Sequence, residues 1–144
     1  RLDDSTIDAI RRITAYIPQD LSLPYDSVEK LVTSLFELRI NRNINFSTEM
    51  IFSDWALLGL DISLWNKKTS EISGGQRQRI MLSIAGLTGK SLILADEPTS
   101  ALDTESSLLV AKYFRMLTRE RSMAILTTSH SERFAQECDR IIKL

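Results

Sequence analysis

Short apolar runs along the chain predict the strands of a sheet. Residues 92–95 are apolar without a break, which is typical of a strand buried on both faces. Residues 13–17 are β-prone and stop at Pro18, so they predict a strand that leaves into a loop. Residues 124–128 predict another strand, and residues 141–144 predict the beginning of a last strand at the terminus.

The middle of the chain, from residue 21 to about residue 72, is predicted to be all helical. Ser27 can cap a helix over residues 28–38, and a polar stretch at residues 41–45 ends it. A second helical pattern follows over residues 47–58, and Gly59 is expected to stop it. Its apolar residues are spaced to share one face: Met50, Ile51, Trp55 and Leu58.

After residue 73 the pattern alternates between helix and strand. Helices are predicted over residues 76–87 and 104–119, and a short helix is predicted around Phe134 and Cys138. Strand and helix alternating at this spacing imply right-handed βαβ units and a parallel sheet. The expected fold class is therefore α/β with a mainly parallel sheet, joined to an all-helical subdomain.

Composition narrows the possible functions. The 144 residues suffice for one modest domain with a real core. The formal net charge is -1, so the basic surplus typical of nucleic-acid-binding proteins is absent, and no nucleic-acid partner is expected. No apolar run approaches the roughly 20 residues of a membrane helix. Cys138, the one cysteine, cannot form an internal disulfide, and we expect it to fill a core position.

A short glycine-containing turn precedes the helix at residues 76–87. Ser73 and Gln76 have the spacing of a capping box, in which each side chain bonds the backbone N–H of the other residue. Gly74 and Gly75 have no Cβ, so an anion can approach the free amides of the first helical turn. The turn is therefore a candidate phosphate site. The alternative is a helix start that binds nothing.

Two carboxylates follow the apolar strand at residues 92–95. Asp96 and Glu97 stand at its carboxyl end, where ligands bind in open α/β sheets. Phosphoryl transfer to water requires a metal ion and a group that orients or deprotonates the water. Asp96 is the candidate to hold Mg²⁺, and Glu97 the candidate to act on the attacking water. The alternative is a solvated Asp-Glu-Pro turn.

Three further residues lie where they could serve the same site. His130 and Gln19 each follow a predicted strand, and the carboxyl ends of parallel strands meet at one edge. His130 should therefore face the same crevice as Glu97, and the amide oxygen of Gln19 could touch a metal ion or a water. Asp103 can cap the helix at residues 104–119, and this structural role is compatible with a functional one.

These motifs, in this order, resemble those of the ABC ATPase family. The Q-loop, signature, Walker B, D-loop and H-loop of that family correspond to Gln19, residues 73–76, residues 96–97, residues 100–103 and His130. The resemblance implies part of a RecA-like P-loop NTPase domain that uses ATP and Mg²⁺. It implies that Glu97 is the base, that Gln19 and His130 sense Mg²⁺ or the γ-phosphate, and that Asp103 lies near ATP.

The resemblance also implies partners and a division of the chain. In a head-to-tail dimer that encloses ATP, Ser73 and Gly75 would contact a γ-phosphate bound to the opposite subunit. Residues 1–20 would form a core strand and the Q-loop, residues 21–75 the helical subdomain, and residues 76–144 the C-terminal half of the core. The helical subdomain would dock on transmembrane permease subunits, which places the protein in the cytoplasm, peripheral to the cytoplasmic membrane.

One expected motif is missing from the sequence. A Walker A motif reads G-x-x-x-x-G-K-[ST] between a strand and a helix. Gly89, Lys90 and Ser91 follow a predicted helix and enter a strand, and Ile84 stands where the first glycine should be. We therefore interpret them as a helix-to-strand turn. The chain resembles the C-terminal portion of an ATP-binding domain, and we expect it to be inactive alone.

Two other functions remain open. One is a related ATPase without a transport role, such as a DNA-repair protein, a chromosome-maintenance protein or a translation factor. No heptad run appears between Gln19 and Ser73, which disfavours the relatives with a long coiled coil. The other is a helical docking module without catalysis, which the presence of Glu97 and His130 disfavours. Ala95 before Asp96 is a weak indication of the peptide and nickel importers.

Overall fold

The computed structural model describes residues 3–21, 25–38, 44 and 46–143. Along the described residues, helix α1 comes first, followed by strand β1 and then by helices α2 and α3. Helix α4 leads to strand β2, α5 to β3, and a short α6 comes last. The bounds are α1 Asp4–Ile13, β1 Thr14–Ile17, α2 Val28–Glu37, α3 Thr48–Leu57, α4 Gly74–Leu87, β2 Leu92–Asp96, α5 Thr104–Glu120, β3 Ala124–Thr128 and α6 Glu132–Ala135.

The strands form a parallel sheet, as the sequence predicts. Strand β2 is central in the described part of the chain, with β1 on one side and β3 on the other. The register aligns Ala95 of β2 with Ile17 of β1 and Thr127 of β3, so the three carboxyl ends lie at one edge. The fold class, mixed α/β with a parallel sheet, is confirmed, whereas the division at residues 20 and 75 stays a prediction.

The two faces of the sheet differ in exposure. Ile17, Ile93 and Ala95 are at most 3% exposed and belong to the hydrophobic core. On the other face, Tyr16 and Leu126 are in register on either side of Leu94, and they are 61% and 62% exposed. The sheet is therefore packed on one face and open on the other in the described part of the chain.

Three expectations about elements need correction. The predicted last strand at residues 141–144 is wrong for 141–143, which are coil, with Ile141 and Ile142 exposed; residue 144 lies outside the described residues. A short apolar run becomes a strand only when a sheet edge pairs with it. Met50 is 41% exposed, because it lies outside the buried stripe of α3, which is formed by Ile51, Asp54, Trp55 and the following Leu58. Most of the polar stretch at 41–45 lies outside the described residues.

The third correction is helix α1, which no sequence signal used above predicts. Asp3 caps it by accepting from the Thr6 N–H at 2.8 Å, a pattern visible in the sequence. The helix buries little, since Ile10 and Ile13 are 44% and 50% exposed. It carries the chain into β1, which begins at Thr14 rather than at Ile13.

Helix α3 is joined to α5 by a buried ionic cluster. Asp54 of α3 is 1% exposed and accepts two hydrogen bonds from Arg121, at 2.8 and 2.5 Å, and one from Tyr113 of α5. Burial first, and then the Asp54 charge, raise the pKa of the Tyr113 phenol, so it stays protonated and donates. Gly86 of α4 leaves room for this phenol, because a Cβ at that position would clash with the Tyr113 hydroxyl.

Replacing Asp54 by Ala should destabilise the chain by about 3 kcal/mol. The Arg121 guanidinium and the buried Tyr113 phenol would then lose their hydrogen-bond acceptor. The matched control is Asp8→Ala, which removes an exposed ion pair with Arg11 and should leave stability unchanged. Chemical denaturation of both variants measures the difference. Equal stability of the two variants would show that the cluster contributes nothing.

Candidate functional site

The carboxyl edge of the sheet gathers three of the predicted residues around one cavity. Gln19, Glu97 and His130 line a cavity of about 390 Å³ together with residues of the loop before α5. His130 Nε2 lies 3.4 Å from Glu97 Oε1. The Glu97 side chain is only 13% exposed, whereas that of His130 is 99% exposed. The structure thus places Glu97 and His130 in the same crevice, as expected from the shared edge.

Asp96 is held by a neighbour that the sequence did not single out. Thr128, its register partner on β3, donates its hydroxyl to Asp96 Oδ1 at 2.6 Å and accepts from the Glu97 N–H at 3.2 Å. Pairing of the two strand ends was the signal that could have identified Thr128. One side chain therefore orients both acids of the pair.

The acids form an oxygen-rich edge suited to a hard cation. Carboxylate and amide oxygens are the ligands that Mg²⁺ prefers, and Asp96, Glu97 and Gln19 supply them. The second oxygen of Asp96 is not used by Thr128. Within the described residues, no three His, Cys, Asp or Glu side chains cluster as a complete metal site. These residues therefore fit a metal ion that takes its other ligands from phosphate and water.

Glu97 has an unusual backbone conformation. Its φ is +48°, in the left-handed region that costs a residue with a Cβ about 1–2 kcal/mol. Its carbonyl accepts from the N–H and the hydroxyl of Ser100, at 3.2 and 3.0 Å, and from Gln78 Nε2 at 3.2 Å. Strain that is maintained by surrounding bonds is typical of functional sites.

The glycine-containing turn has the capping box predicted for it. Ser73 Oγ accepts from the Gln76 N–H at 3.1 Å, and Gln76 Oε1 accepts from the Ser73 N–H at 2.9 Å. Residues 73–76 do not line the cavity that contains Glu97. A Cβ on Gly75 would lie 3.0 Å from the Ala101 carbonyl oxygen, so this glycine also permits close packing against the loop before α5. Close packing is thus a second reason for a glycine at position 75, beside access for an anion, and the sequence pattern does not predict it.

The residues after this turn tie α4 to other elements. Arg77 donates to the Leu21 carbonyl at 3.2 Å, and Arg79 donates to the Leu58 carbonyl at the end of α3 at 2.9 Å. Burial lowers the pKa of Arg79, and the charge of Asp103 opposes that shift. No local sequence pattern predicts these two bonds, which join residues 56 and 21 positions apart.

Asp103 caps α5, as its position predicts. Its Oδ1 accepts from the Ser106 N–H at 2.7 Å. Hydrogen bonds from the Ser106 backbone and then its side chain hold the pKa of Asp103 below the usual value, and Arg79 adds to this. Asp103 therefore stays ionised in the loop that contacts Gly75.

Residues 89–91 form the predicted helix-to-strand turn between α4 and β2. Gly89 has a φ of +66°, and Lys90 Nζ donates to the Arg12 carbonyl at 2.8 Å. Burial lowers the pKa of Lys90. The ammonium group is thus engaged with the end of α1, which leaves this Gly-Lys-Ser without the geometry of a phosphate loop.

Solved structures share this architecture. The ATP-binding cassette MJ0796, in a dimeric post-hydrolysis state with ADP and Pi, matches 94% of the chain and 60% of its own length, with a TM-score of 0.75 and 24% identity. A structure named RNase-L Inhibitor matches 86% of the chain and 23% of its own length, with a TM-score of 0.69 and 26% identity. The fold is therefore that of the ABC cassettes, a class of P-loop NTPases.

The sequence comparisons define the family. The family model described as "ABC transporter" matches residues 1–100, so the chain belongs to this family. YxdL, an ABC transporter ATP-binding protein of Bacillus subtilis, is 35% identical over 90% of the chain and 45% of its own length. The lipoprotein-releasing system protein LolD 1 of Rhodopseudomonas palustris is 38% identical over 64% of the chain and 41% of its own length.

The macrolide export ATP-binding/permease protein MacB of Haemophilus ducreyi is 45% identical over 59% of the chain and 12% of its own length. The chain thus spans less than half the length of these curated relatives. None of the three is named as a peptide or nickel importer, so the indication from Ala95 stays a prediction.

At position 97, Gly should be more stable than Ala by about 1 kcal/mol, because both variants lack the carboxylate but only Ala has a Cβ to strain the left-handed backbone. Thermal unfolding of Glu97→Gly and Glu97→Ala measures this difference. The control pair is Lys112→Gly and Lys112→Ala, at an exposed position in the middle of α5, where the order should reverse. If Ala were more stable than Gly at both positions, the backbone of Glu97 would be unstrained.

Proposed function

We propose that this chain belongs to an ATP-hydrolysing subunit that powers an ABC transporter. The observation that carries the proposal is the convergence of Gln19, Glu97 and His130 on one cavity, with Asp96 beside them. Membership of the ABC transporter family and the ATP-binding relatives support it.

Each residue of the edge has a part in ATP hydrolysis under this proposal. Glu97 is the general base, and its carboxylate lies where it can accept a proton from a water in the cavity. His130, 3.4 Å away, orients that carboxylate and senses the γ-phosphate. Asp96 and Gln19 would hold Mg²⁺ through oxygen atoms, with Thr128 fixing the direction of Asp96. Bound Mg²⁺ would supply charge neutralisation for the phosphates.

The glycine-containing turn serves a different ATP in this proposal. Ser73, Gly74, Gly75 and Gln76 lie outside the cavity of Glu97, at the N-terminus of the 14-residue helix α4, where backbone N–H groups favour an anion. A second cassette in a head-to-tail dimer would present its nucleotide there. The dimeric state of the similar cassette MJ0796 supports such an arrangement.

Membrane partners are the last element of the proposal. The relatives include an ATP-binding/permease protein, which supports docking of the helical subdomain on permease subunits at the cytoplasmic face of the membrane. In residues 3–21, 25–38, 44 and 46–143, no helix has both the length and the apolar character needed to cross a bilayer.

A second candidate function is an ABC-type ATPase without a transport role. The similarity to a structure of the archaeal ribosome recycling factor aABCE1 favours it, because the TM-score of 0.69 approaches the 0.75 of the cassette MJ0796. Co-purification with a permease would support transport. Association with ribosomes or DNA, which the net charge of -1 disfavours, would support the alternative.

In an ATPase made by joining this chain to a P-loop segment, Glu97→Gln should lower kcat by about 10²–10⁴-fold, because it removes the general base. ATP affinity should stay within about threefold, since the amide has the same shape and phosphate binding does not require the base. Steady-state turnover and equilibrium nucleotide binding measure the two quantities. Glu120→Gln, at the exposed end of α5, is the control. Unchanged turnover in Glu97→Gln would remove Glu97 from this role.

The 144-residue chain by itself should hydrolyse ATP no faster than a buffer blank, because its sequence has no G-x-x-x-x-G-K-[ST] to cradle the phosphates. Phosphate release by the purified chain, compared with that of its Glu97→Gln variant, is the measurement. Turnover that exceeds the blank and disappears in the variant would contradict this expectation.

A further inference from the structure

Gln78 is a buried polar residue that the proposed mechanism does not use. It lies in the second turn of α4 and is 2% exposed. Its Nε2 donates to the backbone carbonyl of Glu97 at 3.2 Å, across 19 positions of the sequence. A buried amide that donates to a backbone carbonyl of another element restrains the position of that element.

The carbonyl that Gln78 bonds belongs to the strained residue of the site. Glu97 has a φ of +48°, and the bonds from Ser100 to its carbonyl come from within the same loop. Such local bonds define the shape of the turn but do not fix where the turn lies. Among the described residues, the bond from Gln78 is the one that reaches this carbonyl from a helix. Gln78 thus anchors the turn to α4.

We propose that Gln78 is a positioning residue that holds the Glu97 backbone, and through it the catalytic carboxylate, against α4. This inference rests on the proposed role of Glu97 as the base. Gln78 does not touch the cavity, since it is absent from the cavity-lining residues. It acts by keeping the carboxylate within reach of His130, from which it lies 3.4 Å away.

The proposal has a consequence for communication along α4. Gln78 follows Gln76 by two residues, and Gln76 closes the capping box at the start of the helix. A shift of the first turn of α4 would therefore displace the Glu97 carbonyl through the hydrogen bond from Gln78. The same two segments also approach each other at Gly75, where an added Cβ would lie 3.0 Å from the Ala101 carbonyl oxygen. Occupancy of the glycine-containing turn by a phosphate would thus alter the position of Glu97.

The test uses the full-length protein. Gln78→Met keeps the length of the side chain but removes the donor, and it should lower kcat by about 10- to 100-fold, as expected for a small displacement of a catalytic group. KM for ATP should change by less than about threefold, because phosphate binding does not depend on this bond. Gln78→Leu, which also lacks a donor and suits a buried helical position, should have the same effect and serves if Gln78→Met fails to fold.

The matched control is Ser83→Ala, on the same helix. Ser83 is fully buried and accepts from Trp55 Nε1 at 3.0 Å, so its loss destabilises α4 without touching Glu97. Its kcat should stay within about twofold of the parent. Equal kcat values in Gln78→Met and Ser83→Ala would overturn the proposal, because the effect would then be general destabilisation.

A structural readout separates this inference from the proposed function. Crystal structures of the parent and of Gln78→Met should show Glu97 leaving the left-handed region or moving away from His130. An unchanged φ and an unchanged Glu97–His130 distance would overturn the positioning role even if activity fell. If the protein without substitutions hydrolyses no ATP, the proposed function fails. The comparison of the two crystal structures still decides whether Gln78 positions Glu97.

Discussion

The arrangement of this fold depends on the first two turns of helix α4. Arg77, Gln78 and Arg79 are consecutive, and each donates to a backbone carbonyl in a different part of the chain. The acceptor of Arg77 lies after β1, that of Gln78 lies after β2, and that of Arg79 lies at the end of α3. One short segment of α4 therefore positions both the candidate site and the end of α3. Carbonyls at the ends of elements need partners, and side-chain donors from α4 supply them.

Near the other end of α4, a second set of contacts joins α3 to α5. Asp54 of α3 accepts from Tyr113 and Arg121, while Gly86 of α4 allows the phenol to approach its backbone. The desolvation of these groups is costly, and their mutual hydrogen bonds offset it only when all three are present. The two connections together restrict how α3 and α4 can move relative to α5.

Backbone strain at Glu97 fits this picture of a site maintained by its surroundings. A residue with a positive φ would relax if the loop were free, but bonds from Ser100 and Gln78 keep it in place. The stability lost there is offset by well-packed elements elsewhere, such as the fully buried Ile93 and Leu117. The backbone is thus strained at Glu97, whereas the elements around it are well packed.

The sequence by itself determined the elements whose signals are local. Helix caps at Ser27, Ser47 and Ser73 depend on a side chain and an N–H three residues away, so their position can be predicted. Runs of apolar residues likewise located β2 and β3, and the parallel sheet then implied that Glu97 and His130 share an edge.

Only the tertiary structure decided which distant groups meet. The bond from Gln78 to Glu97 spans 19 positions and that from Thr128 to Asp96 spans 32, and each depends on packing or register that no local pattern encodes. The same reason explains the wrong strand at residues 141–143: apolar side chains can be recognised in a sequence, whereas a free sheet edge beside them cannot. Local chemistry specified the elements, and non-local contacts assembled the candidate site.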